Sequence, residues 1–480
     1  MVIKNIQKIF TRLWLSPTFS SWGCTLARTL GFFLIMPLVL TTLTTEEIAL
    51  WYLFATLMGL QLIVDMGFNA TFSRVIAFAM GGASDIRQYS NSGELTNHDG
   101  PNWMGIERIY GTMSWLYARL SVIWLILLFC VGTWSSSDLI HKLEDPSAGW
   151  AALFVVVASS AWRLYGTRYS ATLLGLHKVA LLKRWETLIW ICVFLANLAV
   201  LLLGGGVFWL VVSTQGLIFI NVWVNRRLCH LVEGRRILSF KNTIIDKKIL
   251  HDIWPKVWRS GVGILMSAGV VQGSGVIYAR LATPEEVASY LLALNLIRVI
   301  AQFAQAPFYS KLPKLARLMA EGKLKEQVTL AKRGMKFSYW VLVSGVLSVS
   351  FFGDFLLEII DSKVAFVESG LWSLIGIAAY LERFGAMHLQ LYSTTNHIIW
   401  HVANGVTGLI YLVILLPLFY MLGVYSFPVS QIISNLLFYD WYCAQKSYGT
   451  FSLTSFDFEK RVSLIPIVIL CVFSVVLIIE

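Results

Sequence analysis

Thr44-Thr45-Glu46-Glu47-Ile48-Ala49 and Thr283-Pro284-Glu285-Glu286-Val287-Ala288 are one short pattern occurring twice, 239 residues apart in a chain of 480. Each has the T-x-x-E form of a capping box. The threonine oxygen accepts a backbone N–H three residues on, and the glutamate reaches back to the cap. Pro284 falls at the first helical position, where its missing N–H leaves no bond unmade. Each copy therefore predicts a tight turn that opens a helix. A long apolar run precedes each copy and another follows it. The matched offset and matched flanks predict two structurally repeated halves, an arrangement common among transporters.

The flanks decide the class. Hydrophobic residues make up 57% of the chain and charged residues 14%, with a mean hydropathy of +0.69. A soluble domain carries about 25% charged residues. Runs of ~18 or more apolar residues recur throughout, which reads as a polytopic helical membrane protein. The short alternating segments of a membrane β-barrel are absent. Predicted spans fall at about 20–43, 48–80, 112–134, 150–174, 186–203 and 207–224 in the first half. Those of the second half fall at about 256–281, 287–309, 337–357, 371–393, 400–421 and 424–443, with an extra thirteenth stretch at 462–479. The fold class is thus all-α and polytopic: two six-helix bundles in pseudo-symmetric halves around a central cavity, plus an extra C-terminal span. The domain reading is 1–225 for the N-terminal bundle, 226–255 for a basic linker, 256–445 for the C-terminal bundle and 446–480 for a cytoplasmic segment with the extra span.

The net charge of +11 is concentrated in one set of loops, including Arg226, Arg227, Arg235 and Arg236 at mid-chain and Lys311 to Lys336 in the second half. The loops on the other side carry only Lys142, Arg280 and Lys363. This positive-inside asymmetry excludes a nucleic-acid reading and puts the N-terminus in the cytoplasm. Lys4, Lys8 and Arg12 precede a long apolar run with no small-residue cleavage site, so the first span is read as retained. None of the six cysteines forms a C-x-x-C pair, and all are read as free thiols, with Cys229 alone placed outside an apolar span. Residues 82–108, rich in Gly, Ser, Asn and Asp, are expected to form a cytoplasmic loop.

Charges inside spans cost about 2.5–3.5 kcal/mol each on insertion and normally face a cavity or a partner. Most of them here are arginines: Arg28, Arg119, Arg163, Arg168, Arg259, Arg298 and Arg383, with Arg74 near a span end. Asn295, Arg298, Gln302, Gln305 and Tyr309 step by three and four residues and make one polar stripe on a helix. Arg259, Gly263, Ser267, Ser274 and Tyr278 make a second. Thr25, Arg28 and Thr29 share a face of the first span, and Gln61, Asp65 and Asn69 share one of the second. A cavity lined by these spans is expected to receive the stripes. A planar guanidinium that stays charged suits a phosphate or carboxylate. The candidate substrate-binding residues are Arg28, Arg119, Arg259, Arg298, Asn295 and Gln302. For Arg74, Arg168 and Arg259, near span ends, the competing reading is snorkelling to lipid headgroups.

Asp65 and Glu382 are the candidates for carrying a coupling ion, proton or sodium, against the plainer role of neutralising an arginine. Glu382 adjoins Arg383, but adjacent helix positions point apart, so no pair is expected there. His397 and His401 have the i,i+4 spacing of two metal ligands without a third, and are read as a helix-end pair. No metal site, cofactor or catalytic arrangement is predicted, and the chain is not read as an enzyme. The 19 Trp and 18 Tyr, mostly near span ends, fit interfacial belts.

The turn Thr44-Thr45-Glu46-Glu47 followed by Trp51-Tyr52, and the segment Asp65-Met66-Gly67-Phe68 through Phe72-Ser73-Arg74, resemble the polysaccharide-transporter family of the multidrug/oligosaccharidyl-lipid/polysaccharide superfamily, in particular its O-antigen (Wzx-type) flippases. The resemblance covers about residues 15–445, and the thirteenth span departs from the family's twelve-span layout. It implies two bundles forming a V in the bacterial inner membrane. It also implies alternating access, ion-coupled, that moves an undecaprenyl-diphosphate-linked oligosaccharide to the periplasmic leaflet. Implied partners are that lipid-linked substrate, membrane lipids, the coupling ion and other polysaccharide-assembly proteins. The rival readings are a multidrug exporter of the same superfamily and a membrane-embedded polysaccharide polymerase or ligase. The first usually needs acids for cationic drugs. The second usually needs a large periplasmic loop, whereas the longest outer loop expected here is 135–149.

Overall fold

The computed structural model describes residues 17–81, 100–240, 246–320, 323–395 and 399–479. Among them every regular element is helical. The first capping stretch lies between α1 (Pro17–Thr42) and α2 (Thr45–Gly59), the second between α9 (Lys247–Leu281) and α10 (Pro284–Tyr309). Both boxes are complete. Glu47 N donates to Thr44 Oγ1 at 3.3 Å, and Thr44 N donates to Glu47 Oε2 at 3.1 Å. Glu286 N donates to Thr283 Oγ1 at 3.4 Å, and Thr283 N donates to Glu286 Oε2 at 2.9 Å.

Two compact units divide the chain, Met1–Gly261 and Val262–Glu480. After α2 the first unit continues with α3 (Gln61–Asp65), α4 (Phe68–Met80), α5 (Trp103–His141), α6 (Pro146–Gly175), α7 (Val179–Leu202) and α8 (Val207–Leu231). Within it α1 packs on α7, and α6 packs on α4, α5 and α8. Small residues bring the last pair close. A Cβ built on Gly166 would lie 2.4 Å from Val222 Cγ1, and Trp162 stacks on Phe219 with centroids 4.9 Å apart. Membrane helices rely on such close backbone approach because lipid gives their association no hydrophobic drive.

In the second unit α10 is followed by α11 (Leu312–Ala320), α12 (Leu324–Ile359), α13 (Ser369–Ser393), α14 (Trp400–Leu422), α15 (Ser426–Ser434), a π-helical turn (Asn435–Tyr439), α16 (Asp440–Phe451), α17 (Ser455–Val462) and α18 (Leu464–Ile479). Here α10 packs on α12, α13 on α16, and α14 on α15. Gly423, at φ +54°, turns the chain after α14, and Phe419 meets Phe427 across that turn at 5.7 Å. A residue without a side chain enters this left-handed region at little cost.

Nine helices among the described residues are long and apolar enough to cross a membrane, or ten with the pair Val257–Ser267 and Gln272–Leu281, bent by 44°. One of the nine runs from Trp400 to Phe451 over 52 residues. At 1.5 Å per residue that is about 78 Å, far beyond a hydrocarbon core of about 30 Å. The turn at Gly423 divides it into the two predicted spans. Large apolar side chains cover the outward faces, Phe351, Leu416 and Val413 among them, as lipid-facing helices require. The protein is a multi-pass membrane protein.

Several expectations change. The second span, predicted continuous over 48–80, is broken twice: α2 ends at Gly59, and Met66 (φ +48°) and Gly67 (φ +81°) separate α3 from α4. Helix α5 begins at Trp103, with Asn102 Oδ1 accepting Gly105 N at 2.9 Å, so part of the predicted 82–108 loop is helix. Residues 82–99 of that loop lie outside the described ones, as do residues 1–16 and His397. The basic linker holds the end of α8, a 3-10 segment Glu233–Ser239 and the start of α9. Cys229 is buried inside α8 rather than in a loop, and all six cysteines are free. The thirteenth stretch is a helix, Leu464–Ile479.

Candidate functional site

In the first unit polar groups gather where the second span breaks. An uninterrupted helix pairs its own carbonyls, and a broken one leaves some to be satisfied by side chains. Arg163 of α6 does this, donating through Nη2 to the Met58 carbonyl at 3.2 Å and through Nε to Gln61 Oε1 at 2.7 Å. Ser160 Oγ also donates to Gln61 Oε1, at 3.4 Å, and Trp124 Nε1 donates to Ser160 Oγ at 2.9 Å. Asp65 sits at the end of α3. Its Oδ1 accepts the Tyr117 hydroxyl at 2.7 Å, and its Oδ2 accepts Asn69 N at 3.4 Å. No arginine pairs with Asp65 among the described residues. Its neighbours are a phenol and the first turn of α4, whose N-terminal N–H groups favour a carboxylate.

The predicted arginines of this unit do not converge on Asp65. Arg28 is exposed on α1. Arg119, exposed on α5, lies over the Trp115 ring at 3.7 Å, a cation–π contact within its own helix. Arg259 is exposed on α9, shortly before the bend.

In the second unit the stripe on α10 is formed as spaced. Asn295 is buried and donates to the Leu291 carbonyl at 2.8 Å. Its Oδ1 accepts Arg298 Nη1 at 3.3 Å, while Arg298 Nη2 donates to Gln272 Oε1 of α9 at 3.2 Å. Arg298 is therefore held by two neutral amides, with no carboxylate partner among the described residues. Gln302 lies half-buried one turn further along the same helix.

Glu382 and Arg383 depart from expectation. They form an ion pair at 3.4 Å between Oε2 and Nη2, although they are adjacent on α13. Arg383 is buried and Glu382 partly exposed, and the long guanidinium stem reaches round the helix to its neighbour. Asp440 is buried directly after the π turn. Gly385 packs against it so tightly that a Cβ there would lie 2.9 Å from Oδ1. The π turn gave no signal in the sequence. The partners Tyr117, Ser160 and Gln272 have no distinctive sequence spacing either, since each is brought in by another helix.

No family model matches the chain, and no curated protein sequence matches it. Solved structures do. An inward-facing multidrug resistance MATE family transporter of the MOP superfamily aligns with a TM-score of 0.63 at 14% identity, over 89% of this chain and 96% of its own. The lipid II flippase MurJ in an inward closed conformation aligns with a TM-score of 0.58 at 11% identity, over 96% and 93%. A MOP superfamily transporter from Pyrococcus furiosus, described by the reverse polarity of its binding pocket, aligns with a TM-score of 0.52 at 13% identity, over 92% and 98%. At these identities what is shared is the fold, over nearly the whole of each chain.

Proposed function

We propose that the chain is a flippase for an undecaprenyl-diphosphate-linked oligosaccharide, carrying it from the cytoplasmic to the periplasmic leaflet by alternating access. The observation that carries this reading is Arg298. Its guanidinium is bonded to the neutral amides of Asn295 and Gln272, so its charge is not cancelled by a carboxylate. A cation kept within an apolar helix at a cost of about 2.5–3.5 kcal/mol needs an anionic counterpart, and a diphosphate supplies one. The fold shared with a lipid II flippase supports the same class. In this reading the candidate substrate-binding residues are Arg298 with Asn295 and Gln302, and Arg28, Arg119 and Arg259. Asp65 and Glu382 take the ion-coupling role, proton or sodium, and the chain works in a bacterial inner membrane with its N-terminus inside.

A drug exporter is the second reading, supported by the fold shared with a MATE transporter. One strain separates the two. A host lacking its own flippase, complemented with this chain, regains surface glycan under the first reading and loses it with Arg298→Ala at unchanged membrane abundance. Under the second it gains drug tolerance and no glycan. Normal glycan display with Arg298→Ala sinks the assignment of Arg298.

A further inference from the structure

The last turns of α6 and α8 carry a cluster that the reading above leaves unused. The two helices run parallel. Ser159 Oγ bonds Gln215 Oε1 at 2.8 Å, Trp162 stacks on Phe219, Gly166 abuts Val222, and Tyr169 meets His230 edge-on at 6.2 Å. Contacts that advance together along both chains bring both C-terminal ends to one place. There Arg226 and Arg227 lie one turn before His230 on α8, and Arg168 is bonded to the Tyr169 that meets His230. Arg168 is clamped: it lies 3.8 Å over the Tyr165 ring and 4.6 Å from that of Tyr169, and its Nη2 donates to the Tyr169 hydroxyl at 2.6 Å. Its Nε is buried without a hydrogen-bond partner among the described residues. Arg226 and Arg227 are exposed, and Arg227 stacks on Trp223 at 4.8 Å. The nearby acid Glu233 is taken by Lys178 at 2.9 Å. None of the three arginines pairs with a carboxylate among the described residues.

Like charges gathered in this way repel, and helix C-termini offset only part of that. Rings that fix a guanidinium in place leave its outer edge pre-organised for planar oxygen ligands. We infer that the adjoining C-terminal ends of α6 and α8 form a binding site for a phosphate-bearing anion, with Arg168 as its fixed element and Arg226 and Arg227 closing from the surface. The phosphate belongs either to a lipid headgroup or to a soluble phosphate compound. The site does not depend on what the protein transports.

The test uses the full chain in nanodiscs of phosphatidylcholine, with or without phosphatidylglycerol. Arginines are labelled with phenylglyoxal and quantified by peptide mass spectrometry. Phosphatidylglycerol is expected to slow labelling of Arg226 and Arg227 about tenfold, the equivalent of one charge-assisted hydrogen bond. Arg461, exposed on α17, is expected to change much less. Arg168→Gln is expected to remove the protection. Protection by pyrophosphate in phosphatidylcholine discs, with no effect of phosphatidylglycerol, assigns the site to a soluble phosphate compound. Equal labelling in all discs overturns the proposal, and so does equal protection of Arg461. If Arg168→Gln does not fold, the surface double variant Arg226→Gln with Arg227→Gln replaces it. Native mass spectrometry then counts retained phosphatidylglycerol, or pyrophosphate if that was the protecting anion. Retention as in the wild type rules the site out.

Discussion

Glu47 accepts the backbone N–H of Val207 through Oε1 at 2.9 Å, while its Oε2 accepts Thr44 N. One carboxylate thus closes the N-termini of two helices, α2 and α8, which lie far apart in sequence. Gly206 lets it approach, since a Cβ there would lie 2.5 Å from Oε1. The second copy does not repeat this. Glu286 is exposed and serves its own box, while the neighbouring Ser289 hydroxyl donates to the Ala365 carbonyl at 2.6 Å.

The two glutamates are therefore unequal in stability. Glu47→Ala is expected to cost roughly 2–3 kcal/mol, because bonds to a charged acceptor are lost at two helix ends. Glu286→Ala is expected to cost about 1 kcal/mol, the usual worth of one cap. Thermal unfolding in detergent compares them, and equal losses contradict the double cap.

Arg163 stabilises the broken second span. Arg163→Ala leaves the Met58 carbonyl and Gln61 Oε1 without this donor in a part-buried site. A loss of about 1.5–3 kcal/mol is expected, the usual worth of hydrogen bonds from a charged donor. Protease resistance of the purified protein reads this out, and an unchanged cleavage pattern counts against it.

Gly166 sets the spacing of α6 and α8. A methyl at this position meets Val222 Cγ1 at 2.4 Å, so Gly166→Ala is expected to cost about 1–3 kcal/mol by overpacking. Val222→Ala in the same chain opens the space, and the pair is expected to recover most of the loss. A double-mutant cycle with a coupling below about 0.5 kcal/mol, the limit for independent sites, is the outcome that excludes this contact.

Glu459 ties α17 to the second unit. It takes hydrogen bonds from the Tyr448 hydroxyl at 2.7 Å and the Ser463 hydroxyl, and meets His388 Nε2 at 3.2 Å. Burial favours its neutral form, but His388, Ser463 and Tyr448 outweigh burial and hold it below the ordinary glutamate range. A depressed folded-state value means its stabilisation is fully present above the unfolded value of about 4.3 and is lost as pH falls through the folded one. Acid titration of the wild type is expected to release α17 at low pH. Glu459→Gln is expected to flatten that part of the titration, seen as hydrogen exchange at Phe458. A curve identical to wild type argues against the link.

Much of the fold was legible from one residue after the next. Run lengths located the helical segments, because a bilayer demands apolar stretches of fixed length whatever packs around them. Both capping boxes were legible because their atoms lie within four residues. The stripe from Asn295 to Gln302 was legible because 3.6-residue periodicity puts it on one face. The break at Met66 and Gly67 was not, since a helix-length apolar run reads the same whether or not it is interrupted. Nor was the Glu382 to Arg383 pair, which depends on a stem length that Cα spacing ignores.

The sequence by itself determined which stretches are helical, where the two capping boxes open helices and that one face of α10 is polar, because bonds within one helix and transfer from water to lipid are local properties. Tertiary structure alone decided that Glu47 caps a helix 160 residues away, that Arg163 serves the broken second span, and that Arg168 is clamped by Tyr165 and Tyr169 against the end of α8. A donor's partner is whichever acceptor close packing delivers, and small residues such as Gly166 and Gly206 set that packing without announcing their partners in sequence.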